Sequence, residues 1–286
     1  MTTIMKAKEA AERVYENVRS RAQAFKEKGT QPQLAVILVE GDPASAYYAQ
    51  AKRKIADRLG IAYRLHELPA DATESSLLRL IADCNADAAV HGILLELPLP
   101  AHLSARRIER AIAPDKDVDG VAPANKLAVV TGEAGLYPAT PQACIALVKH
   151  YGYALEGADV ALIGRGQTVG LPLFHLLQHE QATVTVCHSR TPDIASHLTR
   201  AAFAFVAVGR PDTVTQDMVH PGLVLVDAGI NELADGSIAG DVAADAGERA
   251  AAYSPVPGGV GTLTTAIVFR NLMDAIDLQQ KEANRQ

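Results

Sequence analysis

Cysteine is scarce in this chain: three of its 286 residues, Cys84, Cys144 and Cys187, stand far apart with no CxxC pair among them. That spacing argues against a zinc site and points to a reducing compartment. No apolar run reaches transmembrane length and no leader-like stretch opens the chain, so neither a membrane partner nor secretion is expected. Basic residues are not in excess either. Lys and Arg number 27 against 33 Asp and Glu, a net charge of −6, which argues against a nucleic-acid partner. Internal repeats and low-complexity tracts are missing. What is present is an ordinary soluble composition, 48% hydrophobic and 21% charged, long enough for two domains. A cytoplasmic location is the simplest expectation.

Apolar spacing organises the first part of the chain into alternating helices and strands. Ala7, Ala10, Ala11, Val14, Val18, Ala22 and Phe25 recur at helical spacing until Gly29. Residues 34–39 read as a buried strand. Ser45 is a candidate N-cap for a helix that Gly60 ends. Residues 62–68 alternate as a strand, 74–84 are helical, and 91–97 form a second buried strand before Pro98 and Pro100. This alternation predicts an α/β unit with a parallel sheet. Between Pro114 and Pro141 the turn formers and prolines read as a loop that crosses between domains. Strands are then expected at 160–164, 183–188, 204–209 and 223–229. A final apolar helix over about 263–276 precedes a polar tail expected to fray.

The stretch most informative about a ligand is Val160-Ala-Leu-Ile-Gly-Arg-Gly-Gln-Thr-Val-Gly170. A strand ends in a glycine turn that opens a helix, so backbone N–H groups and the helix N-terminus can receive a pyrophosphate. Its GxGxxxG spacing is one residue longer than the usual dinucleotide fingerprint and is weak alone. The next strand ends in Cys187-His-Ser-Arg190, without the carboxylate that holds the ribose 2′-hydroxyl of NAD. His188, Ser189 and Arg190, with Arg165 in the turn, instead suit a 2′-phosphate, which favours NADP. Arg190 also reads simply as a solvated loop residue.

Candidate chemistry lies in the N-terminal half. Tyr48 and Lys52 are four apart and share one helix face, where a phenol beside an ammonium can relay protons. Such a pair is commonly no more than a surface stripe. Glu96 stands at the carboxyl end of a buried strand, where open α/β sheets bind ligands and where an unpaired carboxylate is costly. Asp119 follows in a loop that could cap the same crevice. His175 and His179 share a helix face, but no third ligand accompanies them, so they read as surface residues. Cys187 reads as packing.

Several motifs in order carry a resemblance over almost the whole chain. They are Pro43-Ala-Ser-Ala-Tyr-Tyr-Ala-Gln-Ala-Lys-Arg-Lys54, Leu97-Pro-Leu-Pro100, Pro114-Asp-Lys-Asp-Val-Asp-Gly120 and Thr140-Pro141. Gly164-Arg165 with Val169-Gly170, residues 182–189, and Pro255-Val-Pro-Gly-Gly-Val-Gly261 complete the set. The chain resembles the bifunctional methylenetetrahydrofolate dehydrogenase/methenyltetrahydrofolate cyclohydrolase family. That resemblance implies two α/β domains around a cleft, the C-terminal one Rossmann-like. A folate-binding domain is expected over 1–120 with 265–286, and a nucleotide domain over 121–264. It further implies tetrahydrofolate one-carbon derivatives as substrates, NADP as cofactor, a place in purine biosynthesis, and a homodimer formed through the nucleotide domains.

Residue by residue, the resemblance implies that Lys52 is the catalytic group of the cyclohydrolase step, with Tyr48 beside it and against the pterin. Asp119 would hydrogen-bond the pterin, with Leu95, Glu96 and Leu97 at the same site. Pro257, Gly258, Gly259, Val260 and Gly261 would line the folate and nicotinamide end. Gly164, Arg165, Gly166, Val169, Gly170, His188, Ser189, Arg190, Gly209 and Ile230 would meet the cofactor. Departures from the family pattern cluster near the folate positions. Glu96 stands where the family has Gln, Val121-Ala-Pro123 where it has Phe-His-Pro, and Thr262-Leu-Thr264 where it has Pro-Met-Thr. Ala143 replaces a glycine, Gly166 a serine and Leu171 an arginine. A carboxylate at 96 is expected to pair with Lys52 and favour its ammonium form, a poorer proton acceptor at neutral pH. Three readings therefore stand open: both activities, a relative lacking the cyclohydrolase step or using another one-carbon adduct, and a non-catalytic folate or nucleotide binder.

Overall fold

The computed structural model describes residues 2–233 and 235–284. Its strands in chain order are β1 (Thr3–Ile4), β2 (Gln33–Val39), β3 (Ala62–Leu68), β4 (Gly92–Leu95), β5 (Asp159–Ile163), β6 (Thr183–Cys187), β7 (Phe203–Val206), β8 (Val224–Asp227), β9 (Asn231–Glu232), β10 (Ile238–Ala239) and β11 (Ala252–Tyr253). The helices are α1 (Lys8–Glu27), α2 (Pro43–Leu59), α3 (Glu74–Ala86), α4 (Ala105–Glu109), α5 (Pro123–Thr131), α6 (Ala139–His150), α7 (Gly170–His179), α8 (Ile194–Leu198), α9 (Ala246–Arg249) and α10 (Val260–Ala283). By contact the chain forms two compact units, one of residues 14–137 with 268–286, the other of 1–13 with 138–267. These limits fall later than the expected 120/121 and 264/265. Residues 1–13 join the second unit because β1 pairs with β11, Thr3 opposite Ala252.

The first unit holds a parallel sheet of order β3-β2-β4. Residues 34–39 of β2 are all buried, the continuous apolar run of a strand covered on both faces. Ala35, Ile37 and Val39 of that strand share a core with Leu77 and Ile81 of α3, Ile93 and Leu95 of β4, and Ile108 of α4. The carboxyl-terminal part of α10 belongs to the same unit. Asn271 Nδ2 donates to the Val118 and Tyr137 carbonyls, and Gln279 Nε2 to those of His91 and Asp115.

The second unit is built on a parallel sheet of order β1-β11-β8-β7-β5-β6. From β5 the chain moves outward to β6, then returns to the other side for β7 and β8. That reversal places a switch point at the carboxyl end of β5, where doubly wound sheets bind ligands. A short antiparallel hairpin, β9 with β10, projects beyond β8.

Four sequence expectations need correction. Helix α5 occupies part of the expected loop between Pro114 and Pro141, because Pro123 sits at its first turn and Gly132 ends it in the left-handed conformation (φ 72°). Proline and glycine there punctuate a helix rather than break one. The N-cap of α2 is Asp42, not Ser45: the Asp42 carboxylate accepts from Ser45 N, and Pro43 fills the first turn. Strand β4 ends at Leu95, short of the expected 97. Helix α10 runs on to Ala283 through the tail expected to fray; residues 285 and 286 of that tail lie outside the described residues. Asp42→Ala removes the cap of α2 and is expected to lower stability by about 1 kcal/mol, read as a shift in the urea unfolding midpoint.

Candidate active site

In the first unit, helix α2 delivers Tyr48 and Lys52 one turn apart. Its amino end is fixed by the Asp42 cap and by Ser45 Oγ, which donates to the Leu97 carbonyl at 3.0 Å. Its carboxyl end is stopped by Gly60 at φ 70°. Strand β4 delivers Glu96. The Glu96 N–H donates to the Ile37 carbonyl at 2.9 Å, which continues the ladder one residue past the strand and fixes the backbone. Leu95 lies buried just inside, and Leu97 is 38% exposed before a cis peptide to Pro98.

These two elements meet in an ion pair. Lys52 Nζ donates to Glu96 Oε1 at 2.7 Å and to Oε2 at 2.8 Å, so one ammonium spans both carboxylate oxygens. Only 14% of the lysine side chain and 8% of the glutamate side chain are exposed. The ammonium lies 5.9 Å from the centre of the Tyr48 ring. Tyr48 itself is 38% exposed, and Tyr47 at 72% meets it edge-on. An open aromatic face beside a buried charge is the arrangement that can receive a flat, electron-poor ring. Tyr63 backs α2: its hydroxyl donates to the Ala49 carbonyl, while burial and then the Glu96 charge push its phenol upward.

Asp119 is brought to this pair by a tightly held loop. Ile93 N donates to the Lys116 carbonyl, and Ile93 and Asp117 form a parallel bridge, so the loop runs beside β4. Lys116 Nζ, buried, donates to the carbonyls of Cys84, Asn85 and Asp87 at the end of α3. Asp117, fully buried, accepts from Ala122 N at 2.6 Å and Asn125 Nδ2 at 2.9 Å through one oxygen. Its other oxygen has no partner among the described residues. Lys116, Asp117 and Asn125 are not candidates from the sequence, because nothing in their spacing reveals which loop carbonyls and amides they serve.

Asp119 titrates near neutrality in this setting. Burial raises its carboxyl first and the Asp117 charge second; Lys52 lowers it, while Glu96 and Glu109 raise it again, leaving it at about 7. The Lys52 charge is already neutralised by Glu96, so it offsets little of the cost of burying a further anion.

In the second unit the glycine turn follows β5. Gly164 has φ 114°, and a Cβ there would overlap the Ala207 carbonyl oxygen. A Cβ on Gly170 would overlap the Gly164 carbonyl oxygen, so both glycines are required for close backbone approach. At Gly166 nothing lies within 4 Å of where a Cβ would sit, which leaves open space over the turn. Arg165 and Gly166 are exposed, and α7 begins after Val169 with no side chain capping it. An uncapped helix start above an open glycine turn fits a dinucleotide's phosphates. At the end of β6, His188 Nδ1 accepts from Arg190 N, and Thr191 Oγ1 accepts from His188 N. The imidazole thus shapes its own turn and leaves Ser189 and Arg190 exposed, free to meet a 2′-phosphate.

Other expected positions gather in the same unit. Gly209 has φ 71° in the loop after β7. Ile230, 56% exposed, lies 3.5 Å from where a Cβ on Gly261 would sit. The segment before α10 is held by a cis peptide at Pro257 and by Gly258, at φ 102°, whose carbonyl accepts from Ala7 N. A Cβ on Gly259 would overlap the Pro255 carbonyl, and Val260 is buried as α10 begins. Thus Tyr48, Lys52, Glu96 and Asp119 gather in one unit, and the glycine turn, Ser189, Arg190, Gly209, Ile230 and 257–261 belong to the other.

Comparison with known proteins divides these site residues in the same way. Residues 5–119 match the tetrahydrofolate dehydrogenase/cyclohydrolase catalytic domain, and residues 138–280 match the NAD(P)-binding domain of the same name. The chain is 52% identical over 263 residues to the bifunctional protein FolD of Heliobacterium modesticaldum, covering 92% of each chain. The Campylobacter jejuni bifunctional enzyme FolD, a methylenetetrahydrofolate dehydrogenase/cyclohydrolase, superposes with a TM-score of 0.92 at 37% identity, over 98% of this chain and 100% of that one. The Trypanosoma brucei methylenetetrahydrofolate dehydrogenase-cyclohydrolase, solved with NADP cofactor and inhibitor, gives 0.91 at 31% identity, over 97% and 98%.

The raised Asp119 carboxyl sets a sign for stability. The folded chain keeps this proton up to about pH 7, whereas the unfolded chain releases it near pH 4, so stability falls as pH rises between the two. Asp119→Asn removes that loss. Its stabilisation relative to the unaltered chain is expected to grow from about pH 4 to about pH 8 in urea unfolding, and a constant difference contradicts the assignment.

Proposed function

Because this chain belongs to the tetrahydrofolate dehydrogenase/cyclohydrolase family, we propose that it oxidises 5,10-methylenetetrahydrofolate with NADP and hydrolyses the resulting methenyl compound to 10-formyltetrahydrofolate. The observation that carries the reading is the gathering of Tyr48, Lys52 and Asp119 at the carboxyl edge of the β3-β2-β4 sheet, in a chain whose other unit bears the open glycine turn. NADP, when bound, supplies the hydride acceptor. The protein's share of that step is orientation, since the reaction needs no proton acceptor at the carbon.

Tyr48 offers its exposed face to the pterin, and Asp119, protonated below about pH 7, offers both a donor and an acceptor to the ring's amide edge. Leu95 and Leu97 flank Glu96 on the strand end. Gly164, Arg165, Gly166, Val169 and Gly170 receive the cofactor's phosphates, and Ser189 and Arg190 its 2′-phosphate. His188 acts by shaping their turn, and Gly209, Ile230 and 257–261 serve the nicotinamide end.

Hydrolysis places a different demand on the site. Water adds to the methenyl carbon and loses a proton, and the bond from that carbon to N5 breaks with a proton going to the nitrogen. Lys52, the group placed to relay the proton, has its Nζ held by both Glu96 oxygens. Hydrolysis is therefore the step that Glu96 restrains, and dehydrogenation is not. The chain's folate derivatives place it in one-carbon metabolism, with its product available to purine biosynthesis. Its acidic charge and scarce, unpaired cysteines support a cytoplasmic setting without nucleic-acid or membrane partners. Among the described residues no helix is long and apolar enough to cross a membrane. A homodimer through the nucleotide-binding unit completes the proposal.

Two measurements test it. Purified protein supplied with methylenetetrahydrofolate and NADP should generate NADPH absorbance; no reduction of either NADP or NAD sinks the dehydrogenase reading. Glu96→Gln should raise methenyl hydrolysis severalfold at neutral pH with dehydrogenation changed by less than about twofold, and an unchanged or lower hydrolysis rate removes the restraint assigned to the carboxylate.

A further inference from the structure

Two buried carboxylates in the nucleotide-binding unit take no part in the chemistry above. Asp241 is fully buried and follows β10; Asp227 is 4% exposed at the end of β8. Neither is neutralised by a lysine or arginine in a described ion pair. Both face backbone N–H groups instead. Asp241 Oδ2 accepts from Val208 N at 2.6 Å and Gly209 N at 2.9 Å, and its Oδ1 accepts from Arg210 N at 2.8 Å. Three consecutive amides of the loop after β7 thus converge on one side chain. Asn231 Nδ2, at the start of β9, donates to the same Oδ1 at 2.9 Å.

The carboxylate is itself held in place. Asp227 Oδ1 accepts from Asp241 N and Gly229 N, and its Oδ2 accepts from Val242 N. Ser254 Oγ, just beyond β11, accepts from Asp227 N. Packing around Asp241 leaves no slack, since a Cβ on Gly229 would overlap its carboxyl group. The loop it anchors reaches the glycine turn directly: the Ala207 carbonyl, one residue before the three amides, is the atom that a Cβ on Gly164 would overlap.

We infer that Asp241 is a positioning residue for the dinucleotide, holding the loop after β7, which abuts the glycine turn and presents Gly209, and the loop after β8, which presents Ile230. Successive N–H groups in such a loop make a concavity that attracts an anion. Here an internal carboxylate fills it, so the loop is fixed before any ligand arrives and its amides are withheld from the cofactor's phosphates. Phosphate binding is left to the turn at 164–170. A site fixed beforehand loses less conformational freedom on binding, and that gain appears as affinity.

The inference rests on the proposed NADP site, and its test separates the two. Asp241→Asn keeps the shape but can accept on only one side, setting an amide donor against either the Val208–Gly209 or the Arg210–Asn231 donors. NADP binding to the full chain, measured by calorimetry well below the melting temperature, is expected to weaken about tenfold. With saturating NADP, kcat should stay within about twofold of the unaltered chain, so that the loss falls in KM. Asn231→Ala, which leaves the three backbone amides paired, should weaken NADP about threefold and serves as the readout if Asp241→Asn does not fold. A folded variant of either kind that binds NADP as tightly as the unaltered chain overturns the role of Asp241, even if its melting temperature falls. Failure of the unaltered chain to bind NADP overturns the cofactor site itself.

Discussion

The buried contact between Lys52 and Glu96 is the constraint around which the first unit is arranged. Bringing an ammonium and a carboxylate out of water costs several kcal/mol for each, and only close geometry with further hydrogen bonds offsets it. Here both oxygens engage one nitrogen, at 2.7 and 2.8 Å. Removing one partner alone would strand the other at a cost of about 3–5 kcal/mol. The pair therefore ties α2 to the end of β4, a link reinforced by Ser45 on the Leu97 carbonyl. It also bears on Asp119, whose carboxyl is raised first by burial and then by the Asp117 charge. With the lysine already matched, a third charge finds little compensation there, and its carboxyl keeps a proton to about pH 7.

Buried acids are handled differently in the two units. In the first, Glu96 is met by a cation, and Asp117 by one backbone amide and one side-chain amide. In the second, Asp227 is met by backbone amides and Asp241 by three backbone amides and the Asn231 side chain, so their charge is spread over dipoles that the fold fixes. The Asp227 carboxyl is nevertheless raised to about 6, by burial first, against the lowering effect of those amides. The first arrangement leaves a charge pair whose balance can shift during a reaction. The second makes a rigid frame, suited to presenting a cofactor rather than exchanging protons.

Much of the fold is legible in the sequence because its signals are local. The apolar run of β2, the alternation of β3 and the glycine turn after β5 each depend on a few adjacent residues. Helical period alone puts Lys52 and Tyr48 on one face. The pairing with Glu96 needs a partner 44 residues away, and only the position of Glu96 at a strand end hints at it. Helix α5 is hidden because Pro123 and Gly132 resemble loop punctuation until the intervening turn is seen. The cap of α2 is ambiguous because Asp42 and Ser45 are both good caps, and the proline between them settles the choice. Asp117, Asp227 and Asp241 escape a sequence reading for a common reason. Their partners are backbone amides together with the side-chain amides of Asn125 and Asn231, and no side-chain pattern in the sequence marks which amides a buried carboxylate will meet.

The most direct measurement of the central claim is a crystal structure with NADP and a folate analogue bound. Lys52 Nζ is expected to remain within hydrogen-bond distance of both Glu96 oxygens while the folate ring lies on Tyr48 and reaches Asp119. A Lys52 that has left Glu96 for the ligand or for solvent would contradict it.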